Sequence, residues 1–315
     1  MSKLLLPYAY DCNKQLVHID DAKKGEKYTC PNCGAELLLK ISRIPEGQKY
    51  HRRNHYAHKG NSDNHCSESF LHKLFKEKCV DYIRQKISDN DKIDFEWHCE
   101  QCREEHSGNL LRKAVNVASE YDMGICKPDI ALFDKDGKVI IVVEIVVTHK
   151  PEPEVMQYYD ENKIACLQIQ VDDFSDCDRI EEKLSHPDKM NICPNPKCKK
   201  CGNIMSHVQM VTVSSNCREC GEKTTIAMLV TKDNHRIVSA AKFDDEDIKI
   251  AIDQGANFRQ SYIKTLEGWY SANVCSNCGA SVASVASVDE SHMHNYYYEP
   301  HEKESDYYCK CLNCM

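Results

Sequence analysis

Twelve of the chain's 20 cysteines fall in six CxxC pairs: Cys30/Cys33, Cys99/Cys102, Cys198/Cys201, Cys217/Cys220, Cys275/Cys278 and Cys311/Cys314. A gap of two residues lets both thiolates of one turn reach the same tetrahedral ion at about 2.3 Å. One such pair says little, because redox motifs and chance also produce it. Six constrain the whole chain, which must fold around several small metal-held turns. Disulfides are the competing explanation, but a chain of 315 residues is much too large to need such staples. Three to four structural zinc sites are expected.

The cysteines also divide the chain. Residues 1–65 read as a Cys/His-rich zinc module and 66–172 as an αβ domain. Residues 173–192 read as an acidic linker with a short helix. Residues 193–315 hold eight of the paired cysteines and few long apolar runs, so metal is expected to replace core there. The pairs recur at irregular intervals, which is not a solenoid pattern. With 41 Lys plus Arg against 49 Asp plus Glu, the net charge is −8, which argues against a uniformly basic nucleic-acid coat and leaves room for a local patch. The start has one Lys and only a short apolar run before Pro7, and no stretch is long enough to span a membrane. A soluble, cytoplasmic protein is expected.

Within 66–172, Leu71, Leu74, Phe75, Tyr82 and Ile83 give helical spacing over Glu68–Ile87. Glu68, His72 and Lys76 stand four apart and share another face. Residues 116–121 and 129–133 read as strands, and DKDGK at 134–138 as a hairpin turn. Val139–Val147 is a continuous β-branched run of the kind covered on both faces. A helix from Glu154 to about Asn162 follows two prolines, and Ala165–Val171 closes the unit as a strand. Glu144 interrupts the apolar run. An unpaired buried carboxylate costs several kcal/mol or takes up a proton, so Glu144 has a partner or opens into a site. Asp129 begins the hairpin partner strand and converges with it. Two carboxylates and a strand carbonyl suit Mg²⁺, and such an ion serves in-line displacement at phosphorus. Glu68 is available as a third ligand. The structural alternative has Asp129 capping a turn and Glu144 paired with Lys127.

Five stretches carry a family resemblance: CPNC at 30–33, HYAH at 55–58, ESFLHKLFK at 68–76, KPD at 127–129 and EIVVTH at 144–149. Together, over about residues 25–172, they resemble the competence CoiA-like nuclease family of the PD-(D/E)xK superfamily. The resemblance implies an α/β fold with an αβββαβ core, here joined to an N-terminal zinc-finger-like module and C-terminal Cys-rich modules. It implies Asp129 and Glu144 as ligands of a catalytic Mg²⁺ or Mn²⁺, with Glu68 as the helix acid. The position two after the Glu, usually Lys, is Val146. Thr148 falls beyond it on the same strand face as Glu144. Lys127, Lys76, Lys150 and Lys163 are the lysines able to replace the missing one. The expected catalytic set is Asp129, Glu144, Glu68, Lys127 and Thr148.

The first zinc site is expected from Cys30, Cys33 and His58, with His55 or Cys66 as the fourth ligand. Beside it, Lys40, Arg43, Lys49, Arg52, Arg53 and Lys59 stand against one acid, Glu46. Interleaved with Tyr50 and Tyr56, they form a candidate grip for phosphates and bases, although a charge run is as readily a solvated face. Cys99, Cys102 and His106 lack a local fourth ligand, which falls to His98 or a distant residue. The last eight cysteines pair either sequentially (198/201 with 217/220, then 275/278 with 311/314) or nested (217/220 with 275/278, and 198/201 with 311/314). The stretch resembles split zinc modules in which a helix, here Asp244–Gln254, separates two knuckles, and that likeness favours nesting. Cys193 and Cys309 are spare thiols near these knuckles, able to substitute as ligands. The tyrosine-rich run at 294–308 reads as a loop rim.

The function expected is a Mg²⁺- or Mn²⁺-dependent nuclease acting on DNA, with zinc modules that hold the fold and aid substrate binding. The alternative is a nuclease-fold zinc protein that no longer cuts and binds nucleic acid or acts as an adaptor. A purely protein-binding zinc scaffold is a third possibility. DNA versus RNA, the mode of cutting and the oligomeric state are not readable from the sequence.

Overall fold

The computed structural model describes residues 4–44, 47–49, 53–60, 65–263, 267–282 and 300–315. The protein is mixed α/β, mostly sheet, with four α-helices among the described residues. None of these helices is long and apolar enough to cross a membrane. The chain forms two compact units, Met1–Trp97 with His106–Ile192 and His98–Glu105 with Cys193–Met315.

The first unit opens with an antiparallel five-stranded sheet ordered Leu16–His18, Tyr8–Tyr10, Tyr28–Thr29, Glu36–Lys40, His55–His58. Helix His65–Ser88 follows. It buries Leu71, Phe75, Cys79 and Ile83, which recur every four residues along one face. Phe70 near its start packs on Tyr8 and Phe174. Each large apolar side chain so buried contributes about 1.5–3 kcal/mol.

A second five-stranded sheet carries the middle of the chain, in the order Lys189–Met190, Ala165–Gln170, Val139–Val146, Ile130–Phe133, Asn116–Ser119. The expected helix, three strands, helix, strand order is present, with a two-stranded hairpin (Asp94–His98, Glu105–Asn109) inserted after the first helix. Gly137, at φ +75°, supplies the left-handed residue of the expected 134–138 turn. Val139–Val146 runs parallel to Ala165–Gln170 and antiparallel to Ile130–Phe133. Helix Pro153–Glu161 makes the crossover a parallel pair requires. Its Tyr159 packs with Ala131, Phe133, Val142 and Cys166.

Residues 173–192 are not a linker. Phe174, Cys177, Ile180 and Leu184 are buried, Asp176 is buried against Arg179, and Lys189–Met190 is a strand of the second sheet. The acidic composition misled because Phe174, Cys177, Ile180 and Leu184, few as they are, turn inward.

The second unit also departs from expectation, because metal does not replace its core. Strands Ser206–Asn216 and Lys223–Thr231 pair over nine positions. One face of the hairpin buries Val211, Val213, Ile226 and Met228, and the other buries Val208, Met210, Ala227 and Leu229. Helix Asp245–Asp253 is capped by Asp244, whose carboxylate accepts from the amides of Glu246 and Asp247. Gly255, at φ +105°, ends it. A ribbon, Phe258–Ile263 with Gly268–Asn273, leads into the Cys275 turn.

Candidate functional site

Five of the six CxxC turns share one hydrogen-bonded knuckle. The first cysteine's amide donates to the carbonyl five residues on, at 2.7–2.9 Å, for Cys30, Cys99, Cys198, Cys217 and Cys275. The amide four residues on donates back to that cysteine's carbonyl. Closing this loop needs a positive φ at the fourth residue, supplied by Gly34, Gly202, Gly221 and Gly279, and by Arg103 at φ +63°. Backbone geometry therefore presents the two thiols of each turn together.

The knuckles assemble into four groups whose donor atoms lie within 4.8 Å of one another: Cys30, Cys33, His58 and Cys66; Cys99, Cys102, His106 and Cys193; Cys198, Cys201, Cys311 and Cys314; Cys217, Cys220, Cys275 and Cys278. The C-terminal pairing is nested. Its sulfurs stand 3.5–3.8 Å apart across the pairs. A disulfide requires about 2.05 Å, whereas the edge of a tetrahedron of thiolates around zinc is about 3.8 Å. The donor sets, two of four thiolates and two of three thiolates with one imidazole, are those of closed structural zinc sites.

In two groups the fourth ligand is one of the alternatives that the sequence left open. His55 is not the fourth ligand of the first group. It lies on the strand face opposite His58 and bonds the Arg53 carbonyl at 2.9 Å, while Cys66 takes the place. Cys193, a distant residue, completes the Cys99 group, while His98 meets Glu105 at 2.8 Å.

At the carboxylates, Asp129 is fixed from two sides. His72 Nε2 lies 3.0 Å from its Oδ2, to which the Ile145 amide also donates at 3.0 Å, and Lys76 Nζ lies 3.5 Å from its Oδ1. Burial pushes the Asp129 carboxyl up, but the His72 bond and charge, the Ile145 amide and Lys76 outweigh it and hold the group below its usual range. Glu144 has a different partner. The phenol of Tyr159, itself fully buried, donates to its Oε1 at 2.6 Å. Burial, and then the charge of Asp129, push Glu144 up to about 7 against that bond. The two acids thus sit side by side in unlike states, one ionised and one half protonated near neutrality.

Lys127 does not pair with Glu144. It binds Glu120 at 3.1 Å, and Lys76 binds the other oxygen of Glu120 at 2.6 Å. Between the two lysines Glu120 is held down at about 2. Neither Glu120 nor Tyr159 was expected, since both reach the acids only through the fold. His72 and Lys76 were visible as neighbours of Glu68 on one helix face, though not as partners of Asp129.

Glu68 and Thr148 come together, but apart from Asp129 and Glu144. The strand ends at Val146 and the chain then bends, and the Thr148 hydroxyl donates to Glu68. With His72 and His149 they line a cleft of about 390 Å³. Among the described residues, Glu68, Asp129 and Glu144 do not form a single three-ligand cluster.

The expected basic patch is thinner than its composition. Lys59 is paired with Glu36 at 3.1 Å. Tyr56 is buried against Tyr28 and is unable to stack on a base. Lys40, Arg43, Lys49 and Arg53 are exposed. Glu46, Tyr50 and Arg52 lie outside the described residues, as do positions 294–299 of the tyrosine-rich run; its Tyr308 donates to the buried Asp247 at 2.8 Å. A scan against protein-family models, a search of curated proteins and a search of solved structures each found no match.

Proposed function

We propose that the chain is a Mg²⁺- or Mn²⁺-dependent nuclease hydrolysing DNA phosphodiester bonds, built on a PD-(D/E)xK-like core whose strand lysine has been replaced from the long helix. The observation that carries this reading is Lys76. It is buried, only 7 % exposed, and its ammonium lies against Asp129 although the usual strand position is the apolar Val146. A buried lysine is expensive unless its charge is paired; Glu120, at 2.6 Å, pairs it and leaves the ammonium beside Asp129.

The donor chemistry fits a hard cation. Burial, with the charge of Asp129 adding to it, keeps Glu144 partly protonated, and a divalent ion beside both carboxylates would favour its ionised form. Mg²⁺ and Mn²⁺ sites commonly use one or two carboxylates and take the rest from water and substrate phosphate, so a three-acid cluster is not required. When bound, such an ion supplies Lewis acidity at phosphorus and an activated water. Lys76 neutralises charge developing on the phosphoryl oxygens. Glu120 and Lys127 hold Lys76 in place, His72 orients Asp129, and Tyr159 fixes Glu144 through one of its oxygens. The four thiolate groups carry structural zinc.

One observation favours a second reading, a nucleic-acid-binding or adaptor protein that no longer cuts. Both oxygens of Asp129 already have protein partners, so the acid is neutralised without an ion. Cleavage of supercoiled and linear DNA with Mg²⁺ or Mn²⁺ separates the two. Cutting by the zinc-loaded protein is expected to fall by at least about 100-fold in Glu144→Ala with zinc content unchanged. No cutting, or cutting that survives the substitution, overturns the nuclease.

A further inference from the structure

The first thiolate group differs from the other three in where one ligand sits. Cys30 and Cys33 belong to the knuckle between strands Tyr28–Thr29 and Glu36–Lys40, and His58 ends the next strand, opposite Leu37. Its Nε2 lies 3.4 Å from Cys33 Sγ. The fourth donor, Cys66, is the second residue of helix His65–Ser88. Two positions later on that helix comes Glu68, bonded to Thr148 at the cleft, and then His72, bonded to Asp129. The helix is gripped by the core only from Phe70 and Leu71 onward. In its first turn Glu68 meets Thr148 and, at 3.8 Å, His149, and the Asn32 side-chain amide lies 3.6 Å from Cys66 Sγ; Ser69, next along the helix, lines the cleft.

We propose that the ion held by Cys30, Cys33, His58 and Cys66 is a clasp on the first turn of this helix, which makes Cys66 a positioning residue for Glu68 and the cleft it lines. A helix start leaves its first amides without intrahelical partners and frays readily. A thiolate bound to an ion that three ligands tie to a sheet removes that freedom. Three thiolates and one imidazole fit tetrahedral zinc. The consequence for catalysis rests on the nuclease reading; the consequence for the helix does not.

The test uses full-length protein loaded with zinc, or with Co²⁺ to follow the ligand set by its absorption spectrum. In Cys66→Ser, metal at this group should weaken and amide hydrogen exchange over residues 68–72 should quicken about tenfold or more, while residues 75–83 keep their protection. DNA cleavage should fall with it. Cys66→His restores a fourth ligand, shifts the Co²⁺ spectrum and should recover the protection. His58→Ala removes a ligand on a strand and should loosen the same helix amides, which guards against a local effect of changing the helix itself. Unchanged exchange over 68–72 in His58→Ala or Cys66→Ser, with metal lost from the group, overturns the clasp. If no variant and no wild type cuts DNA, the exchange result still decides the clasp, and only the nuclease reading fails.

Discussion

Glu144 is half-buried and takes a hydrogen bond from a phenol and not from a cation, and it is the burial that dominates its protonation. Burial and the neighbouring Asp129 raise it from 4.5 to about 7. A carboxyl whose folded value lies above its unfolded value stabilises the fold fully below the unfolded value, and the contribution is lost as pH rises through the folded one. Without Mg²⁺ or Mn²⁺, the Glu144 share of stability should therefore fade between about pH 4.5 and about pH 7. Thermal unfolding of zinc-loaded wild type against Glu144→Gln measures it. The wild type should lose stability relative to Glu144→Gln across that range, and added Mn²⁺ should narrow the gap. A difference that stays flat with pH would mean that Glu144 keeps its ordinary value. The opposite case is Asp129, where His72, Lys76 and the Ile145 amide favour the charge. Helix cations together with a strand amide favour the charge on Asp129, while burial disfavours it on Glu144.

At the scale of elements the knuckle is the repeated device, and its sequence signature is nearly complete. Four of the five hydrogen-bonded turns read CxxCG, with the glycine at positive φ. Arg103 breaks the pattern at φ +63°, where a side chain costs about 1–2 kcal/mol. Arg103→Gly should stabilise the protein by roughly 0.5–1 kcal/mol after the extra entropy of an unfolded glycine, seen as a higher denaturation midpoint with metal content unchanged. A lower midpoint would show that the Arg103 side chain holds something the backbone does not. Helix His65–Ser88 was legible because Leu71, Phe75 and Ile83 mark one face, and Val139–Val146 because its β-branched run is unbroken save for Glu144. The hairpin core of the second unit was not. Its apolar residues alternate with Thr, Ser and Gln and are buried on both faces, so neither a continuous run nor a clean alternation announces them.

Across the whole molecule, spacing predicted the knuckles and left their pairing open. Cys193 joins Cys99 and Cys102 over some ninety residues, and no local pattern encodes that. The same holds for Tyr159 meeting Glu144 and Lys76 meeting Asp129: each residue is ordinary in its own helix and acquires a role only when the sheet brings the acids to it. The stretch 173–192 failed for the converse reason, since acidic composition suggested solvent while its few apolar residues went to the core.

A Mn²⁺ titration of the zinc-loaded protein, followed by electron paramagnetic resonance, is the most direct test of a divalent cation at Asp129 and Glu144. Saturable Mn²⁺ binding that disappears in Asp129→Asn and Glu144→Gln, with all four thiolate groups still filled, is the expected result. An absence of binding, or binding that both substitutions leave intact, would contradict it and leave the two acids as a structural pair on a protein that binds without cutting.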